Sequence, residues 1–366
     1  MARKLRFDKL LFLATLLLVC AGVVMVYSAS AVMALERYQQ PDFFLIKQAM
    51  WAVLGVALLM IVMRVDYRSY RTPAFLWGSM AVVSTALVLV LFMPAINGSS
   101  RWFGIGGIGV QPSELAKLCT IFFIAALLER RMHRIDEVSY SLLPITLVVG
   151  ALVALILAEP DYGTALSLVV IAAVMVLAAG LSYNYLVGAL LAGLPVMYFV
   201  LIASEYRRRR LLAFWNPWDD PLDSGFQIIQ SLIAVGTGGV AGRGLMGGVQ
   251  KLFYLPEPHT DFVFAVIGEE LGLIGTTAVL ACFCVITWRG LRIALTAPDS
   301  FAAFLAVGVT AMIALQAFVN ISVVLGLLPT KGMPLPFVSA GGSSLLINFI
   351  GVGVLLNVSQ HANSDA

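Results

Sequence analysis

Residues 300–327 read SFAAFLAVGVTAMIALQAFVNISVVLGL, a run without one charged side chain. The hydrocarbon core of a bilayer is crossed by about 20 apolar residues in a helix, so this stretch is long enough to span it. Its apolar residues are continuous rather than alternating, which excludes the strands of a membrane β-barrel. Nine further stretches of this kind lie near 10–32, 44–63, 74–95, 112–129, 142–158, 164–181, 185–203, 263–288 and 342–358. Composition agrees: 60% of the 366 residues are hydrophobic and 12% charged, where a soluble domain carries about 25% charge. A soluble enzyme, a disordered chain and a nucleic-acid binder are excluded, because a globule of this length needs more polar surface. The expected fold is all-α, a polytopic membrane protein of ten transmembrane helices forming one integral membrane domain over residues 1–366.

Ten spans place both termini on one side. Arginine and lysine decide which side, since they concentrate in cytoplasmic segments. With the N-terminus inside, the short inner segments hold twelve such residues, among them Arg64, Arg68, Arg71, Arg130, Arg131 and Arg134. The short outer segments hold four: Arg37, Lys47, Arg101 and Lys331. The orientation is N-in, C-in. The first span follows basic residues, but its apolar run exceeds the roughly 7–15 residues of a secretory signal and reads as an uncleaved anchor. Cys20, Cys119, Cys282 and Cys284 lie within apolar runs and read as small hydrophobes. His133, His259 and His361 are too scattered to hold a metal.

Most unusual residues fall on the outer side. Residues 204–262 form a large extracytoplasmic loop between the seventh and eighth spans. Within it, Ile228, Leu232 and Val235 share a helical face, which predicts a short interfacial or re-entrant helix. Arg207 to Arg210 read as lipid-headgroup anchors or as attraction for a phosphorylated lipid. Gly242 to Gly247 matches G-x-G-x-x-G but follows no strand, so the stretch from Gly236 to Gly248 reads as mobile or closely packed backbone. Asp261 has two readings: a helix cap that stays ionised, or a general base toward a hydroxyl. Glu114, Lys117, Glu269 and Glu270 lie inside spans, where charge is costly, and read as ion pairs or as the lining of a polar cavity. The last outer loop carries Pro329, Pro334 and Pro336, several glycines and one charge, Lys331; a stiff loop holding one ammonium suits anion stabilisation.

Together these motifs resemble the SEDS family (shape, elongation, division, sporulation) of bacterial inner-membrane proteins. The matching pieces are Arg101-Trp102, Gln111-Pro112-Ser113-Glu114-Leu115-Ala116-Lys117, Pro160-Asp161-Tyr162-Gly163-Thr164 and Asn216-Pro217-Trp218. Gly225-Phe226-Gln227 with Gln230-Ser231-Leu232, residues 255–272 and residues 329–344 complete the order. Pro329-Thr330-Lys331-Gly332 is similar to the division branch. The chain departs from the family at Ala340, where tyrosine is usual, and at Gly247-Gly248-Val249, where Gly-Asn-Ser is usual.

The resemblance implies a glycosyltransferase that polymerises lipid II into glycan strands at the outer face of the inner membrane during cell division. Asp261 then matches the family's essential aspartate and takes the role of base. Lys331, Arg243, Arg101 and Lys251 become candidates for the lipid pyrophosphate, with Glu257, His259, Ser339 and Ser343 also at the substrate. Glu114, Lys117, Asp161, Glu269 and Glu270 are expected as cavity or ion-pair residues. The resemblance also implies a class B penicillin-binding transpeptidase as partner, with lipid II, the nascent strand and other division proteins. No nucleic acid or resident metal is expected, and a divalent cation is an optional aid to the pyrophosphate. The competing readings are a lipid II flippase, an elongation polymerase and a non-catalytic scaffold.

Overall fold

The computed structural model describes residues 7–94, 101–105, 108–135, 137–202, 205–223 and 225–362. Twelve α-helices follow one another among them: α1 (Lys9–Tyr38), α2 (Phe43–Val62), α3 (Pro73–Val90), α4 (Pro112–Arg131), α5 (Leu143–Ala158) and α6 (Tyr162–Ala178), then α7 (Tyr183–Ile202), α8 (Glu205–Trp215), α9 (Phe226–Gly238), α10 (Val263–Leu295), α11 (Ser300–Val324) and α12 (Gly342–His361). Seven helical stretches are long and apolar enough to cross a membrane: α1, α2, α3, α5 with the turn before it, α10, α11 and α12. The chain is a polytopic membrane protein and nearly all helical. The other three predicted spans fall on α4, α6 and α7. Charge lies at both ends of α4, α6 has 17 residues, and α7 contains Pro195. A small hairpin, β1 (Phe103–Ile105) antiparallel to β2 (Ile108–Val110), is added to the all-helical expectation.

Polarity in the bundle runs opposite to that of a soluble protein. Leu13, Val53, Trp77, Val82 and Leu166 face outward, whereas Gln48, Glu114, Lys117, Gln316, Asn320, Asn348 and Asn357 are buried. Lipid tails satisfy no polar group, so these side chains turn inward and bond to one another. α12 and α11 are the most enclosed of the spanning helices and form the centre of the bundle.

The sequence predicts one span over 263–288, but the structure breaks α10 at Gly272, whose φ of +63° and ψ of −157° leave the helical region. The interrupted backbone is satisfied by residues 239–244. Leu273 N–H donates to Gly239, Ile274 to Val240, Arg243 to Glu269 and Gly244 to Glu270. Only glycine fits the crossing, since a Cβ on Gly272 would lie 2.4 Å from the Gly242 nitrogen.

The two ends of the bundle differ in character. At one end Asp8 caps α1, pairs with Arg289 and donates its N–H to Ser359 Oγ at 3.2 Å, joining the first and last helices. At the other end the loops before α4, α6, α10 and α12 converge.

Candidate functional site

The convergence is built by two loops stitched together. Ala340 N–H donates to the His259 carbonyl at 2.9 Å, and Ser339 Oγ donates to the Thr260 carbonyl. Ser339 Oγ also accepts from Leu335 N–H at 2.8 Å, and Gln48 Nε2 donates to the Ser339 carbonyl at 3.2 Å. Three prolines stiffen the loop before α12, and these bonds fix it against the turn that carries Asp261.

Asp261 does not cap α10. The capping position is Phe262, with no side-chain bond to the helix. Instead its carboxylate lies against Gly332, where a Cβ would come within 2.8 Å of Oδ2. Burial pushes the Asp261 carboxyl up to about 7, with Glu257 raising it further and Arg210 opposing. Glu257 is exposed, in the left-handed region at φ +50°, and accepts from Thr260 Oγ1 at 3.3 Å. His259 is buried against Phe44, ring to ring at 4.6 Å, and burial pushes its imidazole down.

Lys331 turns toward α6. Its side chain lies directly over Gly163, where a Cβ would sit 1.5 Å from Cε and 1.9 Å from Nζ. Burial lowers its ammonium to about 8; Asp161 opposes this, while Arg101 and Arg210 add to it. Arg101 donates to the carbonyls of Glu159 at 3.2 Å and Pro160 at 2.6 Å, and its Nη1 lies 4.0 Å from Asp161. Asp161 caps α6 through Thr164 N–H at 3.2 Å and also accepts from Thr164 Oγ1 at 2.7 Å and Gln111 Nε2 at 3.0 Å. Burial pushes the Glu159 carboxyl up to about 8, with Asp161 adding to the effect and Arg101 opposing it. Arg210 donates to the Thr330 carbonyl at 3.4 Å. The cluster holds three cations, and one carboxylate among them is already engaged.

Other predicted residues lie elsewhere. Lys251 is buried and donates to Glu270 at 2.6 Å and to Ser28 at 3.0 Å, so the structure does not bring it to Lys331. Arg243 pairs with Glu269 at 3.5 Å. Glu269 also accepts from Val249 and Gln250 N–H, and Glu270 from Met246 N–H, so both glutamates pin the glycine-rich segment to α10. Glu114 and Lys117 pair at 2.9 Å within α4. Ser343 is buried in the first turn of α12, and its Oγ has no hydrogen-bond partner among the described residues.

Arg210 is the residue that sequence reasoning assigned elsewhere. The run Arg207 to Arg210 signals charge at the bilayer surface, but only the fold shows that its last member reaches the Lys331 loop. The side chain of Arg207 lies outside the described residues. Among the described residues no three His, Cys, Asp or Glu side chains converge as a metal cage. Chemically, a carboxylate that loses its proton near neutrality can accept one from a hydroxyl, and clustered guanidinium and ammonium groups can hold phosphate.

The profile of the FtsW/RodA/SpoVE family, described as cell cycle protein, matches residues 8–364. A Geobacter metallireducens protein named "Probable peptidoglycan glycosyltransferase FtsW" is 45% identical over 97% of this chain and 95% of its own length. Stage V sporulation protein E of Bacillus subtilis is 44% identical over 97% of both. Among solved structures, one described as "Structural coordination of polymerization and crosslinking by a peptidoglycan synthase complex" superposes with a TM-score of 0.81 and 31% identity. It covers 99% of this chain and 100% of the other. The rod shape determining protein RodA of Thermus thermophilus gives a TM-score of 0.73 and 27% identity, with 99% of each chain covered. From motifs, profile and fold together, the chain belongs to the FtsW/RodA/SpoVE family of cell cycle proteins.

Proposed function

We propose that the chain is a peptidoglycan glycosyltransferase of cell division, joining lipid-linked disaccharides into glycan strands at the outer leaflet. The observation that carries the reading is the half-buried Asp261 carboxyl, pressed against Gly332 and raised to about 7 on a turn bonded to the cation-bearing loop. A general base works best when its pKa lies near the working pH. Asp261 takes the proton of the acceptor sugar's 4-hydroxyl, whose oxygen attacks the donor's anomeric carbon with inversion. The C–O bond to the lipid pyrophosphate breaks, and its developing charge meets Lys331, Arg101 and Arg210. A pyrophosphate leaves without being protonated, so one carboxylate suffices where hydrolytic glycosidases use two. A divalent cation assisting the pyrophosphate would be held by phosphate oxygens and water.

Ten crossings with both termini cytoplasmic suit this reading. The bond between Asp8 and Ser359 supports it, since the ends of α1 and α12 meet. The site then faces outward from the inner membrane, with α9 re-entrant beside the first half of α10. A crosslinking transpeptidase of the penicillin-binding class is the partner whose substrate is the strand made here; the likeness to a synthase complex supports this.

The test uses purified protein and labelled lipid II in detergent. Glycan polymer that disappears with Asp261→Asn supports the reading. Lipid movement across sealed vesicles without polymer would replace it with a flippase. Partner binding without either activity would replace it with a scaffold.

A further inference from the structure

Two amide side chains interrupt the charge-free helix α11, Gln316 and Asn320, four residues apart and therefore on one face. Both are buried, at 2% and 1% exposure. An amide in the middle of a membrane bundle is costly unless its bonds are made, so their partners indicate what they do. Asn320 Nδ2 donates to the carbonyl of Asp261 at 2.7 Å and to that of Met333 at 2.7 Å. One NH2 group thus bridges the turn that carries the carboxylate and the loop that carries Lys331. Gln316 repeats the arrangement one turn deeper. Its Nε2 donates to the Pro334 carbonyl at 2.9 Å and to Ser344 Oγ at 3.1 Å, while its Oε1 accepts from Lys117 Nζ at 3.1 Å. The ammonium decides which way this amide points, because Lys117 can only donate. Lys117 is in turn fixed by Glu114 at 2.9 Å.

We infer that Asn320 is a positioning residue for the transfer reaction: it locks the backbone of Asp261 to that of Met333, keeping the half-buried carboxylate against Gly332. Gln316, oriented by the Glu114–Lys117 pair, anchors the same loop from below. The inference rests on Asp261 being the base proposed above. The charged groups acting on that carboxylate are Glu257 on its own turn and Arg210 from α8; the facing loop carries Lys331, its ammonium turned to Gly163, and α11 contributes no charge. Loosening the amide bridge admits water, so the carboxyl loses its proton at lower pH and becomes a weaker base.

The experiment measures kcat and KM of the full-length chain with labelled lipid II from about pH 5 to about pH 9. It compares wild type, Asn320→Ala, Asn320→Ser and Asp261→Asn. Asn320→Ala is expected to lower kcat by roughly 10–100-fold, as a displaced catalytic group does, with KM changed less than about threefold. The acid limb of its kcat profile is expected to move down by about one pH unit. Asn320→Ser, which keeps a donor, recovers part of both. A rate that falls equally at every pH, or an unmoved acid limb in both Asn320 variants, overturns the inference while leaving the base in place. Should Asn320→Ala not fold, the serine variant carries the same reading through its limb. Polymer made at wild-type rate by Asp261→Asn overturns the base and this inference together.

Discussion

Lys251 and Lys331 both sit on loops of the same membrane bundle, yet their surroundings are opposite. Lys251 lies 2.6 Å from Glu270 and bonds Ser28, its charge already paired and buried. Lys331 lies over Gly163, with Arg101 and Arg210 repelling its charge and Asp161 already occupied by the cap of α6. The first ammonium closes a structural latch. The second is held in surroundings that penalise its charge, a penalty that a phosphate would relieve under the proposed function. Burial alone therefore says little about function. What separates the two lysines is direct contact: Lys251 Nζ touches a carboxylate oxygen at 2.6 Å, whereas Asp161, the carboxylate acting on Lys331, is bonded by Thr164 and Gln111.

The comparison can be broken in several ways. The largest effect is expected at the base: Asp261→Asn should lower polymerisation by roughly 10³-fold, within the range known for general bases. Lys331→Met should follow with a loss of about 10²-fold in kcat, the scale of removing one charge-stabilising donor. Lys251→Met should instead destabilise the fold by about 3–5 kcal/mol, because Glu270 is left as an uncompensated buried charge. This is read as a lower melting temperature in detergent, with the rate per folded molecule nearly unchanged. Exchanged outcomes for the two lysines would end the distinction.

Next comes pH. If Asp261 is the base it must be deprotonated, so the rate should rise through about 7, and if the Lys331 ammonium meets the leaving group it must be protonated, so the rate should fall above about 8. Lys331→Arg should remove the alkaline limb, since a guanidinium keeps its proton throughout. A smaller loss, roughly tenfold, is predicted for Gly163→Ala, whose methyl would displace the Lys331 side chain. The smallest concerns the Arg71–Glu129 pair, 3.0 Å apart and partly exposed. Arg71→Ala should change stability by less than about 1 kcal/mol, measured by thermal unfolding.

Much of the fold was legible because lipid imposes a one-dimensional rule: apolar length decides what can span. Residues 300–327 satisfy it and form α11 almost as read. The break at Gly272 was not legible, because a single glycine does not by itself end a helix and the backbone that replaces its bonds comes from residues 239–244. The site was legible as a set of loops through Asp261 and Lys331. It was not legible as a set of pairs, because Arg243 and Lys251 find their glutamates only after α10 folds against the glycine-rich segment. The amides had a signal that went unread. Gln316 and Asn320 share one face of an otherwise apolar helix, and a buried amide always requires a partner.

The interruption of α10 has a consequence for biogenesis. Its hydrogen-bonding complement, residues 239–244, precedes it in the chain and is translated first. When the second half of α10 leaves the ribosome, the receptor for its unpaired backbone already exists. A loop trimmed or lengthened at that point would leave a spanning helix with bare amides facing hydrocarbon, so the glycine segment works as a built-in assembly template rather than as a dispensable connector.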